Sequence, residues 1–170
     1  MSTNTKATAD LFLQIKKEKT TEDVFTYKQA LEFLGKAENY LYSGDPYDHD
    51  RAATFQDWIV SKIASAAAIA GYPFVGPGAP VIEDRIILSC TNWDKDTFVD
   101  TGIKVRDNAK KIASYLADPN KYNLARVKIE TTAYEVIKPI GGGTVENFSI
   151  ITDYRLVALR LANGTWLELV

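Results

Sequence analysis

At Asp118-Pro119 the periodicity of the chain changes, and this switch constrains its fold more than any other feature. Upstream, apolar residues recur at three- and four-residue spacing; downstream they alternate. In "ARVKIETTAYEVIKPI", residues 125–140, Val127, Ile129, Thr131, Ala133 and Glu135 fall on one side and Lys128, Glu130, Thr132, Tyr134 and Val136 on the other. That is the period of a strand with two unlike faces. "NFSIITDYRLVALRLANGTWLELV", residues 147–170, reads as a long strand, an Asn163-Gly164 turn expected to be type I′, and a last strand. "GGG" at 141–143 is expected to be a mobile connection between strands.

Three segments upstream read as helices. In "TEDVFTYKQALEFLGKAENYLYSGD", residues 21–45, Tyr27, Ala30, Leu31, Leu34, Ala37 and Leu41 share a face. Thr20 or Thr21 is expected to cap this helix, with Glu22 and Asp23 at its positive end. "DRAATFQDWIVSKIASAAAIAG", residues 50–71, is apolar nearly all round, as a central buried helix is. Asp57 and Lys62 interrupt it, leaving less than the ~20 apolar residues a membrane span needs. "RDNAKKIASYLADP", residues 106–119, is expected to start at an Asp107 cap and to bury Ala109, Ile112, Ala113 and Leu116. Of the rest, "ADLFLQIKKEK", residues 9–19, fits a short helix or a strand, "VIEDRIILSC", residues 81–90, a strand, and "TNWDKDTFVDTG", residues 91–102, a turn-rich connection.

Helices first and antiparallel strands last define an α+β fold: three to four N-terminal and central helices packed on a C-terminal antiparallel sheet of about four strands. A chain of 170 residues suits a single domain, expected over 9–170, behind a flexible polar arm at 1–8.

The rare residue types cluster in "YSGDPYDHDRAATFQDW", residues 42–58. The only histidine, His49, stands there among Asp45, Asp48 and Asp50. Asp48 and Asp50 with His49 are the first candidates for acid–base work, and Asp45, Asp48 and Asp50 for a cation. Spacing removes the EF-hand. Its loop needs glycine sixth and glutamate twelfth, and counting from Asp48 those positions are Ala53 and Ile59. One histidine and one cysteine, Cys90, cannot supply the usual zinc set. The bland reading is a turn at Ser43–Pro46 with Asp48 or Asp50 capping the next helix. Asp94, Asp96 and Asp100 form a second acidic cluster, read as Asx turns. "PIGGGTVEN", residues 139–147, lacks the lysine and following helix of a phosphate loop, and no cofactor motif is present.

Net charge is −2, which gives no global field toward nucleic acid or anionic lipid. Locally the balance is uneven. Asp45–Asp100 holds nine acidic and four basic residues, and Lys104–Lys128 seven basic and two acidic. The basic set is Lys104, Arg106, Lys110, Lys111, Lys121, Arg126 and Lys128, the candidate interaction residues. A bipolar surface suits self-association or an oppositely charged partner. A lone cysteine and the absence of an apolar leader fit a cytoplasmic protein, or a virion component assembled there.

The expected function is therefore a non-enzymatic structural or assembly protein, a homo-oligomer or an adaptor in a larger complex such as a virion or bacteriophage particle. The runner-up is a small-ligand-binding or enzymatic pocket lined by Trp58, Tyr134, Tyr154 and Trp166. The third is a nucleic-acid accessory protein using the 104–128 stretch.

Overall fold

Extended backbone begins earlier in the chain than periodicity predicts. The computed structural model describes residues 11–63, 69, 71–74, 93–94, 96–137 and 144–169. The elements are β1 (Phe12–Phe25), α1 (Tyr27–Tyr42), α2 (His49–Lys62), α3 (Thr97–Leu116), β2 (Tyr122–Ile137), β3 (Thr144–Leu161) and β4 (Trp166–Glu168). The strands form one antiparallel sheet in the order β1-β2-β3-β4. The α+β class stands, but the sheet is not purely C-terminal, because β1 precedes every helix. Its pairing with β2 runs from Phe12↔Ile137 to Phe25↔Ala125. That long ladder outweighs the weak helical spacing of Leu11, Phe12 and Ile15.

Because β1 reaches Phe25, the cap of α1 is Thr26, not Thr20 or Thr21, and Glu22 and Asp23 are strand residues. Thr26 and Gln29 form a capping box: Gln29 N donates to Thr26 Oγ1 at 3.2 Å and Thr26 N donates to Gln29 Oε1 at 2.9 Å. Helix α3 begins ten residues before the expected Asp107 cap, and Asp107 is a mid-helix residue paired with Arg106. Phe98, Val99, Thr101, Gly102 and Val105, in and just after the expected connection, are all buried in α3. A Cβ on Gly102 would come within 2.8 Å of the Tyr40 ring, so this glycine sets how closely α3 passes α1. Helix α2 stops at Lys62, and Ile69 pairs with Tyr72 in an isolated bridge rather than extending the helix. The turn at Asn163-Gly164 is not type I′: only Gly164 has a positive φ, +92°. Gly164 N donates to Leu161 O and Leu161 N to Thr165 O, the pattern of an ordinary turn closed by a left-handed glycine. The expected arm at 1–8, strand at 81–90 with Cys90, and glycine connection at 141–143 lie outside the described residues.

The three helices pack on one face of the sheet. Ala125, Val127 and Ile129 of β2, Tyr154 and Leu159 of β3 and Phe25 of β1 meet Phe33 of α1, Ile59 of α2 and Val105, Ala109, Ile112 and Leu116 of α3. Phe33 joins the layers, with ring centroids 5.0 Å from Phe25, 5.6 Å from Tyr154 and 4.7 Å from Trp58. Further along β2 the buried face changes. Thr131, Thr132 and Ala133 are all buried, and beyond them Tyr134 and Val136 pack with Phe148 and Trp93. A bulge at each neighbouring strand marks the switch, between Ile15 and Lys17 on β1 and opposite Glu130 and Thr131 on β3.

From Ser149 onward, the β3 edge that faces away from β2 is closed by a relay of groups. Ser149 N donates to Pro73 O at 2.8 Å. Ile151 N donates to Gln56 Oε1 at 2.8 Å, and Gln56 Nε2 donates to Ile151 O at 2.9 Å. Thr101, Lys104 and Asn108, one stripe of α3, reach Ile151 O, Thr152 O and Leu156 N. From Ala158 to Arg160 β4 takes over. Gln56 is fully buried and acts as a one-residue substitute for a neighbouring strand.

Gln56→Ala is expected to cost about 2 kcal/mol in urea unfolding, because it orphans the buried Ile151 amide, while the Ile151 carbonyl keeps the Thr101 hydroxyl. The Ile151 amide should then lose its protection against hydrogen exchange. Burial raises the pKa of the Tyr154, Tyr134 and Tyr40 hydroxyls. The folded state therefore holds these protons to higher pH than the unfolded chain. Their contribution is full below about pH 10 and is lost as pH rises beyond it, so stability should fall on alkaline titration.

Candidate functional site

The acidic stretch that stands out in the sequence is a helix boundary. Asp45 Oδ1 accepts from Tyr47 N at 2.9 Å, and Asp48 N donates to Asp45 O at 3.2 Å. Asp48 is the cap of α2, its side chain accepting from Asp50 N at 3.3 Å. Asp50 sits in the first turn, where a carboxylate complements the helix dipole. His49 is buried and meets the Phe98 ring edge-on, 5.8 Å between centroids.

What the sequence does not reveal is that the two acidic clusters meet. The Tyr47 hydroxyl lies beside the Asp96 carboxylate, which raises its pKa, with Asp100 and Asp45 adding to the effect. The N-terminal ends of α2 and α3 thus share one patch of negative charge. Among the described residues no group of three or more His, Cys, Asp or Glu side chains is arranged to hold a metal ion.

The seven basic residues do not form one surface. Lys110 and Lys111 stand free on the outer side of α3, where with Asp107, Ser114 and Tyr115 they line a shallow depression. Lys104 is tied to the β3 edge, and Arg106 to Asp107 and the Tyr42 hydroxyl. Lys121 follows the helix, its carbonyl accepting from Ala162 N. Arg126 and Lys128 project from the sheet face opposite the helices. Arg126 pairs there with Glu22 and Glu168 and lies 5.2 Å from the Trp166 ring, while Lys128 is flanked by Glu22 and Arg155.

The aromatic residues expected to line a cavity are also dispersed. Tyr154 is in the core, Tyr134 packs on Trp93 and Phe148, and Trp166 is on the far face with Arg126. Trp58 does line a concave surface, one that sequence spacing does not announce: a groove between α1 and α2. One depression of about 340 Å³ is lined by Tyr40, Phe55, Trp58, Lys36 and Arg51 with Asn39, Asp50 and Thr54. A second, of about 540 Å³, shares Lys36, Asn39 and Trp58 and adds Leu31, Glu32, Gly35 and Lys62. Arg51 closes one end by donating to Asn39 O at 2.9 Å and Tyr40 O at 2.8 Å, the last carbonyls of α1. Lys36 Nζ lies 5.6 Å from the Trp58 ring centre.

No protein-family model matches the chain, and neither a curated protein nor a solved structure matches it. No described helix is long and apolar enough to cross a membrane.

Asp48→Ala is expected to lower stability by about 1 kcal/mol, while Asp48→Ser retains most of it, since serine caps as well. Chemical denaturation of the two variants separates a capping role from one that needs the carboxylate itself.

Proposed function

We propose that the chain is a non-enzymatic structural subunit that self-associates into a homo-oligomer or joins a larger assembly, such as a virion. The observation that carries this reading is the contrast between the two long edges of the sheet. From Ser149 to Arg160 the β3 edge is met by other groups. On β1, between Gln14 and Thr21, no described segment pairs with the outer side. An edge stretch of this kind is a template for another chain unless it is protected. The bulge at Lys16 and the run Lys16–Lys19 protect it against indiscriminate pairing, while Phe12, Ile15 and Val24 stay exposed near its ends at 42%, 56% and 46%. A strand with a charged middle and apolar flanks favours one register over others.

The distribution of charge supports the same reading. Helix α3 is about 30 Å long, with Asp96 and Asp100 at one end and Lys110 and Lys111 near the other. A second copy presents a complementary end to each.

Light scattering coupled to size exclusion is expected to give a discrete mass above that of the monomer. Ile15→Lys combined with Val24→Lys should shift it toward monomer without loss of helical signal, as should removal of residues 1–10. A strict monomer at every concentration and salt would overturn the reading.

A further inference from the structure

We propose that the groove between α1 and α2 is a binding site for a small planar aromatic anion, independently of any assembly the protein enters. Four observations converge on it. The first is Gly35. It stands in the middle of α1 and is exposed, where glycine is the poorest ordinary helix former. A Cβ added there would touch nothing within 4 Å. No packing with a described residue therefore requires this glycine, and what it creates is a bare strip of helix backbone in the groove floor. The second is the aromatic wall: Trp58, half-buried, stands beside Phe55 and Tyr40, whose rings stack on each other at 4.8 Å. The third is Leu31, 44% exposed, one turn before Gly35 and lining the same depression.

The fourth observation is the charge. Lys36 and Lys62 make no ion pair with a described residue, and the Arg51 Nε is buried without a hydrogen-bond partner among them. Glu32 and Asp50 are each confined to one depression, whereas Lys36 lines both. A ring laid on Trp58 and over Gly35 puts its anionic substituent within reach of Lys36, which already leans over the indole. The depression that Gly35, Trp58 and Lys36 line together, about 540 Å³, is of the size small-molecule sites have. An uncharged apolar ligand would leave the cations unused, and a ligand without a flat face would leave the indole and the glycine strip unused.

The probe is 8-anilinonaphthalene-1-sulfonate, with uncharged N-phenyl-1-naphthylamine as its control, titrated against the intact protein and followed by dye emission and Trp quenching. Saturable one-site binding of the sulfonate is expected. Lys36→Glu with Lys62→Glu should weaken it by about tenfold or more while leaving the neutral dye unchanged. Gly35→Leu should abolish binding of both dyes and raise the unfolding midpoint, so that lost binding cannot be lost folding. The proposal is overturned if the sulfonate does not saturate one site or if Gly35→Leu binds as the parent does. It is also overturned if the neutral dye alone binds, or if raising the protein concentration expels the dye. The last result would assign the groove to a second copy.

Discussion

The paired hydrogen bonds between Gln56 and Ile151 are the constraint around which the helical layer is arranged. A strand edge inside a domain cannot be left to water, because each buried peptide group without a partner costs free energy comparable to a lost hydrogen bond. Most folds close such an edge with another strand. Here one amide side chain supplies both the donor and the acceptor, 95 residues away in sequence. For it to reach, α2 must cross close to β3, and α3 must lie alongside so that Thr101, Lys104 and Asn108 continue the edge. Gly102, in the next position after Thr101, lets α3 sit against Tyr40 while doing so. The packing of all three helices therefore follows from how one edge is closed.

That arrangement also decides where charge gathers. Bringing α2 and α3 together at β3 brings their N-terminal ends together, and each end is rich in carboxylates for its own local reason. Asp48 caps α2, and Asp94 accepts from Asp96 N at the start of α3. Neither cluster needs the other to be useful. Their meeting, through Tyr47 and Asp96, is a by-product of edge closure, and it gives the molecule a negative end that composition alone does not reveal.

The α+β class and the C-terminal strands were legible because each repeats a period over many residues; of the face expected for α1, Ala30, Ala37 and Leu41 are buried, while Tyr27 and Leu31 are exposed and Phe33 and Tyr40 take their place in the core. Boundaries were less so, and each miss has an identifiable cause. The charged and threonine-rich run Lys16–Asp23 carries little strand signal of its own; it is extended because β2 pairs with it. The first turns of α3 contain Thr97, Val99, Thr101 and Gly102, poor helix formers that packing holds in place. The Asn163-Gly164 signal found the hairpin but not the turn type, since Asn163 keeps an ordinary φ. The groove was hidden for another reason. Trp58 belongs to one helix and Gly35 to another, and only the fold makes them neighbours.

Gly35 and the β1 edge illustrate the same physical point from opposite sides. Local rules are obeyed through most of the molecule: the N-caps of α1 and α2 are filled, the β3 edge is closed from Ser149 onward and buried rings pack in pairs. Departures from those rules are therefore informative, because local and global preferences normally agree in a foldable sequence. A glycine in mid-helix with open space over it weakens α1 and contributes nothing to the packing around it. Between Gln14 and Thr21 no described segment meets the outer side of β1, whereas the β3 edge is met from Ser149 onward. Stability explains neither. Both are explained if the free energy they cost is recovered when something else arrives, a ring over Gly35 and a chain along β1.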